Sequence, residues 1–258
     1  MTRVIAVSNA KGGVGKTVTV ANLGAALAEL DRKVLLVDFD SQGSLTLHFG
    51  YQPESLRGRT IYEVIKGNRS ARGVIQVTEH GVDLIPANID LAAAEVELLT
   101  AFHARGVPWY DRLARALGDG LGYDYILVDC PPSLGVLTMN AYVAATEIIV
   151  PLACDYLSMR GLGQLLTALR SVKNTWNGEL KVLGVLPTLF DSRTLHSREA
   201  LEETRRVLQG KLHVYDHVVK RSVKFKEAPV VGQPITAYAP SFEGAEAYRA
   251  LAREVDAS

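Results

Sequence analysis

A glycine-rich run near the amino terminus has the residue types that hold phosphate groups. Glycines let successive backbone N–H groups turn towards phosphate oxygens, and a helix that follows presents the positive end of its dipole to the same anion. Lys16 would neutralise the β- and γ-phosphates, and the Thr17 hydroxyl would bind Mg²⁺. The run predicts a site for a nucleoside triphosphate and Mg²⁺, formed by Lys11, Gly12, Gly13, Val14, Gly15, Lys16, Thr17 and Val18.

The loop departs from the usual Walker A pattern, Gly-x-x-x-x-Gly-Lys-Ser/Thr, at its start. Asn9 or Ala10 takes the first glycine position, and Lys11 comes directly after it. The result is a deviant Walker A loop that carries a second lysine, Lys11, ahead of the usual Lys16.

Three carboxylates follow apolar runs and complete the candidate site. Asp129 closes the run 125–129, as expected of a Walker B acid that holds Mg²⁺ through water. Asp40 comes just after a second run, where a carboxylate could orient the attacking water and sense the γ-phosphate. Asp38 has two open roles, because it could bond the loop or assist the metal.

Apolar runs that alternate with helical spacing indicate how these residues are positioned. We expect strands at 4–8, 33–38, 82–86, 125–129, 147–151 and 181–186, and helices near 17–30, 90–104, 108–118, 134–144, 158–175 and 197–209. The pattern predicts an α/β fold with a mainly parallel, twisted central sheet and helices on both faces, in three layers, as one domain over residues 1–258. Ligands of such sheets collect at the carboxyl ends of the strands, where the glycine loop and the three carboxylates fall.

Composition and charge limit the other classes of protein. The 258 residues are 48% apolar and 22% charged, with zero net charge. We expect a cytoplasmic protein, because the first strand leaves no room for a signal peptide and no run reaches the length of a membrane span. The two cysteines, Cys130 and Cys154, lie in apolar contexts and are interpreted as core residues. One segment is basic: residues 193–226 contain nine Lys or Arg and four Asp or Glu.

Several stretches together resemble the ParA/MinD superfamily of deviant Walker A ATPases, and the later ones resemble its short ParA/Soj type. They are K-G-G-V-G-K-T from Lys11, V-D-F-D-S-Q-G from Val37, D-C-P-P-S-L-G from Asp129, T-L-F-D-S-R-T from Thr188 and K-E-A-P from Lys226. The resemblance implies a P-loop ATPase that binds ATP and Mg²⁺, with Lys11, Lys16 and Asp40 as catalytic residues and a weak intrinsic rate. It also implies an ATP-bound homodimer in which Lys11 reaches the partner subunit's phosphates.

The same resemblance implies the binding partners. The dimer would bind double-stranded DNA without sequence preference, which would place it on the nucleoid, and a ParB-type centromere-binding protein would stimulate hydrolysis. Arg221 and Lys224 match positions implicated in DNA contact, and Arg198 is a secondary candidate in the same basic segment. Whether the cargo is a chromosome or a plasmid stays open.

Five positions depart from the family pattern, and one of them is Arg160, which stands where an acidic residue is common. Val18 replaces a threonine whose hydroxyl usually reaches the α-phosphate, and Ser41 stands where proline is usual. Lys220 and Ser222 occupy positions that often carry proline and asparagine beside the adenine. The five changes leave the glycines of the loop, Lys16, Thr17 and Asp129 in place, so we expect ATP binding to survive.

Three rival functions are weighed against this one. A MinD-like membrane-cycling ATPase needs a basic amphipathic helix at its carboxyl end, whereas residues 248–258 carry mixed charge. An iron–sulfur reductase ATPase needs cysteines that bridge two subunits, whereas Cys130 and Cys154 lie in apolar contexts and are interpreted as core residues. In a metabolic P-loop kinase or synthetase, Lys11 would have no role across a subunit interface.

Overall fold

A seven-stranded sheet forms the centre of the computed structural model, which describes residues 2–118 and 120–258, apart from the side chains of Leu157 and Arg160. The strands are β1 (Arg3–Val7), β2 (Val34–Asp38), β3 (Gln76–Val77), β4 (Val82–Ile85), β5 (Tyr125–Asp129), β6 (Glu147–Ala153) and β7 (Lys181–Thr188). Their order is β3-β4-β2-β5-β1-β6-β7, and β3 is the antiparallel member. The predicted, mainly parallel α/β sheet is therefore confirmed.

Helices cover both faces of the sheet because the strands are apolar on both sides. Alternate residues of β1 enter different cores: Ile5 and Val7 join one buried cluster, and Ala6 joins the other. The helices are α1 (Lys16–Ala28), α2 (Ser44–His48), α3 (Ile61–Ile65), α4 (Leu91–Arg105), α5 (Arg112–Leu117), α6 (Val136–Ala144), α7 (Tyr156–Thr175), α8 (Leu195–Leu208), α9 (Lys224–Glu227), α10 (Ile235–Tyr238) and α11 (Glu243–Ala257). Along the described ranges, none of them combines the length and apolarity that crossing a bilayer requires.

The helix after the glycine loop lies very close to the sheet. A Cβ atom built on Gly24, in the middle of α1, would lie 2.5 Å from Cδ2 of Leu36 on β2. The other side of α1 packs against α11, with the Thr19 and Tyr248 hydroxyls 3.3 Å apart. These contacts fix the helix that begins at the end of the phosphate loop.

The structure differs from the sequence expectations mainly at edges and short elements. The short edge strand β3 and the short helices α2, α3, α9 and α10 were not predicted. The helix expected at 108–118 is confined to Arg112–Leu117. Cys130 and Cys154 are free and buried, as expected.

Candidate nucleotide-binding site

The strand register brings the glycine loop and the carboxylates to one edge of the sheet. Val7, the last residue of β1, is paired with Asp129, the last residue of β5. Asp38 ends β2 and is also paired with Asp129. The predicted convergence at the carboxyl ends of the strands is therefore observed.

The glycine loop is held open by contacts with the sheet. Gly13 and Gly15 have φ angles of 72° and 89°, a left-handed conformation that side chains other than glycine rarely adopt. Asn9 donates a hydrogen bond of 2.8 Å to the Pro151 carbonyl, and Thr188 donates one of 2.9 Å to the Val14 carbonyl. Among the side chains that the structure describes, none caps the start of α1, so its first amide groups can bind an anion.

Lys16 is the lysine that the loop turns inward. Its side chain is 7% exposed, and its ammonium donates a 3.1 Å hydrogen bond to the Lys11 carbonyl. Burial lowers the pKa of Lys16, against the attraction of Asp129. A phosphate group bound in the cleft would add negative charge near Lys16 and stabilise its ammonium form.

Asp129 is a buried carboxylate close to Thr17 and Lys16. It is 1% exposed, and neither of its oxygens has a hydrogen-bond partner in the described part of the chain. Burial, together with the nearby Asp38 carboxylate, raises the pKa of Asp129 well above its usual range, against the opposing effects of Thr17 and Lys16. Unpartnered buried carboxylate oxygens beside a threonine hydroxyl fit a divalent cation with oxygen ligands.

The contacts of Asp38 are those of a loop-bonding residue. One oxygen accepts hydrogen bonds from the Thr46 amide, at 2.8 Å, and the Thr46 hydroxyl, at 2.7 Å. The other oxygen accepts a hydrogen bond of 3.3 Å from the Asp40 amide. Burial raises the pKa of Asp38 to about 6. Asp38 therefore fastens the loop after β2 and the start of α2 to the sheet.

Asp40 belongs to the same loop but faces the cleft. Its carboxylate accepts a 3.0 Å hydrogen bond from the Gln42 amide, which closes a tight turn, and its side chain is half-buried. Asp40 lines the cleft beside Lys16 and Thr17. This is a position from which a carboxylate can contact a water molecule near the terminal phosphate.

The side chain of Lys11 is bound within its own subunit. Its ammonium donates hydrogen bonds to both oxygens of Asp155, at 3.0 and 2.8 Å, and to the Ser158 hydroxyl at 3.1 Å. Asp155 is the N-cap of α7, and it accepts a 2.9 Å hydrogen bond from the Ser158 amide. Burial acts to raise the pKa of Asp155, but the hydrogen bonds from Lys11 and Ser158 hold that pKa below its usual value.

A cleft of about 640 Å³ joins the glycine loop to the basic segment. One side is formed by Gly12, Gly13 and residues 15–18, and the other by residues 219–223, Phe225 and Lys226. Phe225 and Tyr248 line the apolar part, with ring centroids 6.0 Å apart. The combination of a cationic loop and an apolar wall suits a nucleotide, which has a charged end and a flat base.

The DNA-contact candidates are spread over the rim of this cleft and the adjoining surface. Arg221 is exposed and lines the cleft itself. Lys224 is half-buried, with its ammonium 4.7 Å from the centre of the Phe242 ring, and Arg198 is exposed on α8. None of the three forms an ion pair with a carboxylate among residues 2–118 and 120–258.

Four of the residues that depart from the family pattern lie in or beside the cleft, whereas the side chain of Arg160 lies outside the described part of the structure. Val18 and Ser222 line the cleft, and Ser41 is half-buried in the loop after β2. Lys220 is tied to Glu243 by an ion pair of 2.6 Å, which crosses from the cleft wall to the start of α11. The position beside the expected base is therefore held by an ion pair.

Sequence reasoning missed Asp155, Ser158, Arg193 and Phe225. For Asp155 a local signal exists, because Asp-x-x-Ser before a helix is typical of an N-cap, but that signal does not reveal a contact with Lys11. Arg193 and Phe225 reach the cleft only through the packing of distant segments, and nothing in their local sequence indicates it.

Comparison with known proteins identifies the family. A family model described as an AAA domain matches residues 2–182. The chain is 42% identical to the sporulation initiation inhibitor protein Soj of Bacillus subtilis over 260 aligned residues, with all of both proteins covered. It is 41% identical to the chromosome partitioning protein ParA of Myxococcus xanthus, over 98% of this chain and 87% of that protein.

A solved structure supports the fold and the ligands. The cobyrinic acid a,c-diamide synthase from Mycobacterium smegmatis, with a bound ATP analogue and magnesium, is similar at a TM-score of 0.86 and 42% identity, over 98% of this chain and 93% of that one. Its ligands are the pair that the glycine loop and Asp129 predict. Because Soj matches along its whole length, this chain belongs to the ParA/Soj-type partition ATPases of the deviant Walker A superfamily.

Proposed function

We propose that this chain is an ATP-dependent DNA-partition ATPase, which binds ATP and Mg²⁺ in the cleft and dimerises in response. The dimer binds double-stranded DNA without sequence preference, on the nucleoid, and a ParB-type protein resets it by stimulating a weak intrinsic hydrolysis. The observation that carries the proposal is that the two lysines of the loop, Lys16 and Lys11, have different surroundings. Lys16 is buried in its own cleft, whereas the Lys11 ammonium binds Asp155 and Ser158 at the start of α7.

The residues of the chain suit this mechanism. Residues 12–17 would bind the phosphates through backbone amides and the Lys16 ammonium, and Thr17 and Asp129 would hold Mg²⁺, the aspartate through water. When bound, Mg²⁺ neutralises charge on the β- and γ-phosphates. Asp40 would orient the attacking water. Lys11 would leave Asp155 and reach the partner's phosphates, so that hydrolysis is slow until two subunits meet.

The basic surface supports DNA as the polyanion that is bound. Arg221, Lys224 and Arg198 have no carboxylate partner in the described residues, and they lie on segments that adjoin the cleft. Phosphate contacts of this kind bind DNA without reading bases, and their strength falls steeply with salt.

The packing of α11 favours DNA rather than a membrane surface as the binding partner. Throughout Glu243–Ala257, the apolar face of α11 is buried against the protein, including Tyr248, Leu251 and Val255. Its outer face carries ion pairs such as Arg253 with Glu246 at 2.6 Å. Insertion of this helix into lipid would require it to leave the core.

One observation favours a second candidate function, a metabolic synthetase. The structural relative from Mycobacterium smegmatis is named as a cobyrinic acid a,c-diamide synthase. An enzyme of that kind would use ATP together with a second substrate. A partition ATPase would instead change its oligomeric state with ATP alone.

Gel filtration with light scattering tests the proposal directly. ATP with Mg²⁺ should convert the protein to a dimer, and ADP should not. Lys11→Ala should abolish the dimer while nucleotide binding persists, whereas the control Lys33→Ala, at an exposed lysine outside the loop, should dimerise normally. Normal dimerisation of Lys11→Ala would refute the role of Lys11 across the interface.

DNA binding and hydrolysis are measured on the same proteins. Asp40→Ala should retain the dimer and lose hydrolysis. Arg221→Glu with Lys224→Glu should abolish binding to arbitrary duplex DNA, and nucleotide affinity is measured alongside because Arg221 lines the cleft. If this pair of substitutions leaves DNA affinity unchanged, the DNA surface lies elsewhere.

A further inference from the structure

A second concave site lies at the opposite end of the sheet from the nucleotide cleft. We name it the basic groove, and its volume is about 450 Å³. It is formed by the second half of α7, the first residues of the edge strand β7 and the segment that ends α8. The nucleotide cleft lies at the carboxyl ends of the strands, so the basic groove is separate from it. Its lining comprises Leu166, Leu169, Arg170, Lys173, Leu180, Lys181, Val182, Leu208, Lys211 and Leu212.

The floor of the basic groove is apolar and fixed. Leu169, Leu180 and Leu208 are at most 5% exposed and belong to one of the two core clusters of the sheet. Leu166, Val182 and Leu212 are half-buried and pack against the same cluster. The floor is therefore part of the core and can receive apolar side chains without rearranging.

The rim of the basic groove is positively charged. Arg170, Lys173, Lys181 and Lys211 are all exposed, and no carboxylate is found among the described residues that line the groove. Within residues 2–118 and 120–258, none of the four forms an ion pair. Lys173 is oriented by its own backbone contact, a 2.9 Å hydrogen bond to the Leu180 carbonyl. Four cations around an apolar floor are complementary to a ligand that is acidic and amphipathic.

We infer that the basic groove docks an acidic, amphipathic segment of a partner protein. Apolar side chains of that segment at helical spacing would enter the floor, and its carboxylates would meet the four rim cations. Duplex DNA has no apolar groups at the level of its phosphates, so it would leave the floor unused. A lipid surface is bound by protruding apolar side chains, whereas those of the groove are recessed.

The test uses a defined peptide and surface substitutions. The probe is a fluorescein-labelled helical peptide of about 16 residues made of Leu, Glu and Ala, with its leucines along one face. The comparison probe has the same composition in scrambled order. Fluorescence anisotropy should show saturable binding of the first peptide, at least about tenfold tighter than the second.

Charge reversal at the rim decides the assignment. Lys173→Glu with Lys181→Glu should weaken peptide binding by about tenfold or more, because attraction becomes repulsion at two rim positions. The control pair Lys33→Glu with Arg69→Glu, at exposed cations elsewhere that lack an ion pair in the described structure, should bind the peptide as the parent does. ATP-dependent dimerisation should be unchanged in both pairs, which also separates this test from that of the proposed function.

Three outcomes would overturn the inference. One is equal binding of the ordered and scrambled peptides. Another is unchanged peptide affinity after charge reversal at the rim. The last is loss of binding to duplex DNA or to anionic vesicles by the rim variant without any peptide binding, which would assign the rim to a different polyanion.

Discussion

The buried carboxylate of Asp129 shows at the level of one residue how function constrains this fold. Its two oxygens lack hydrogen bonds in the described structure, and an unpaired buried charge is unfavourable. Packing alone does not explain an acidic residue at the end of β5. The four residues before Asp129 in that strand are apolar and buried, so an apolar residue would continue the pattern. The free-energy cost of burying the Asp129 carboxylate is explained if this residue takes part in binding Mg²⁺.

Replacing this carboxylate should separate stability from ligand binding. Asp129→Asn should raise the free energy of unfolding without ligand by about 1–3 kcal/mol at neutral pH, because the cost of burying this carboxyl group, paid as lost hydration or as uptake of a proton on folding, is removed. The same change should weaken Mg²⁺-dependent ATP binding by about 10- to 100-fold. Urea denaturation and calorimetric titration measure the two effects.

The control is Glu179→Gln, at an exposed acid remote from the nucleotide cleft, which should change neither quantity. If Asp129→Asn binds ATP with the same dependence on Mg²⁺ as the parent, Asp129 is not a metal-site residue.

At the level of elements, the start of α7 is connected to the phosphate loop. Asp155 caps this helix and at the same time receives Lys11, so one carboxylate serves two segments. The ion pair is more than one-third exposed on both sides, so the contact is weak enough to be exchanged for another. Lys11 is therefore held within its subunit but can be released.

Loss of this carboxylate should have opposite effects on the helix and on the dimer. Asp155→Ala should lower the free energy of unfolding by about 1 kcal/mol through the lost N-cap. It should also strengthen ATP-dependent dimerisation, because Lys11 no longer has to leave a partner in its own subunit. Denaturation and sedimentation equilibrium check the two effects.

The matched control is Thr194→Ala, which removes the N-cap of α8. It should cost a similar free energy and leave dimerisation as it is. Weaker dimerisation of Asp155→Ala would indicate that Asp155 is needed in the dimer.

The contact between α1 and β2 gives a second prediction at this scale. Gly24→Ala should destabilise the protein by about 1–3 kcal/mol, because the new methyl group would overlap Leu36. Gly163→Ala in α7 is the control, since no described atom beyond the backbone of its own helix lies within 4 Å of a Cβ there, and it should be neutral or stabilising by up to about 1 kcal/mol. Urea denaturation of both variants tests the packing, and equal stabilities would contradict it.

The parts of the fold that the sequence predicts well are those with a strong local pattern. The strand expected at 125–129 is observed with those bounds, because it is apolar throughout and buried on both faces. Strand β3 has two residues and pairs only at the sheet edge, so no periodic pattern marks it. For the site, the glycine loop and Asp129 follow from local sequence, whereas the contact between Lys11 and Asp155 joins residues 144 positions apart.

At the level of the whole molecule, two buried titratable groups near one another in sequence affect stability in opposite directions. Burial lowers the pKa of His48 to about 4, below its usual value of 6.5. Burial raises the pKa of Asp38 to about 6, above its usual value of 3.8. His48 therefore contributes stability above about pH 6.5 that is lost as the pH falls towards 4. The contribution of Asp38 is present below about pH 4 and is lost as the pH rises through 6.

Two single substitutions should reveal these opposite contributions. The difference in unfolding free energy between the parent and His48→Asn should increase by roughly 2–3 kcal/mol from about pH 4 to about pH 7. The difference between the parent and Asp38→Asn should decrease by a similar amount over the same range. Urea denaturation along a pH series tests both, and parallel curves for the three proteins would contradict the assigned pKa directions.

The hydrogen bond from Lys16 to the Lys11 carbonyl has a consequence for the order of events. The ammonium that would meet a phosphate in the cleft is also the group that steadies the backbone of Lys11. An arriving phosphate would draw that ammonium towards itself and loosen the segment whose side chain, in the proposed dimer, leaves Asp155. Loading of the cleft would thus come first and release of Lys11 second. An empty subunit would keep Lys11 on its own Asp155, and a nucleotide-bound subunit would free it for the partner subunit.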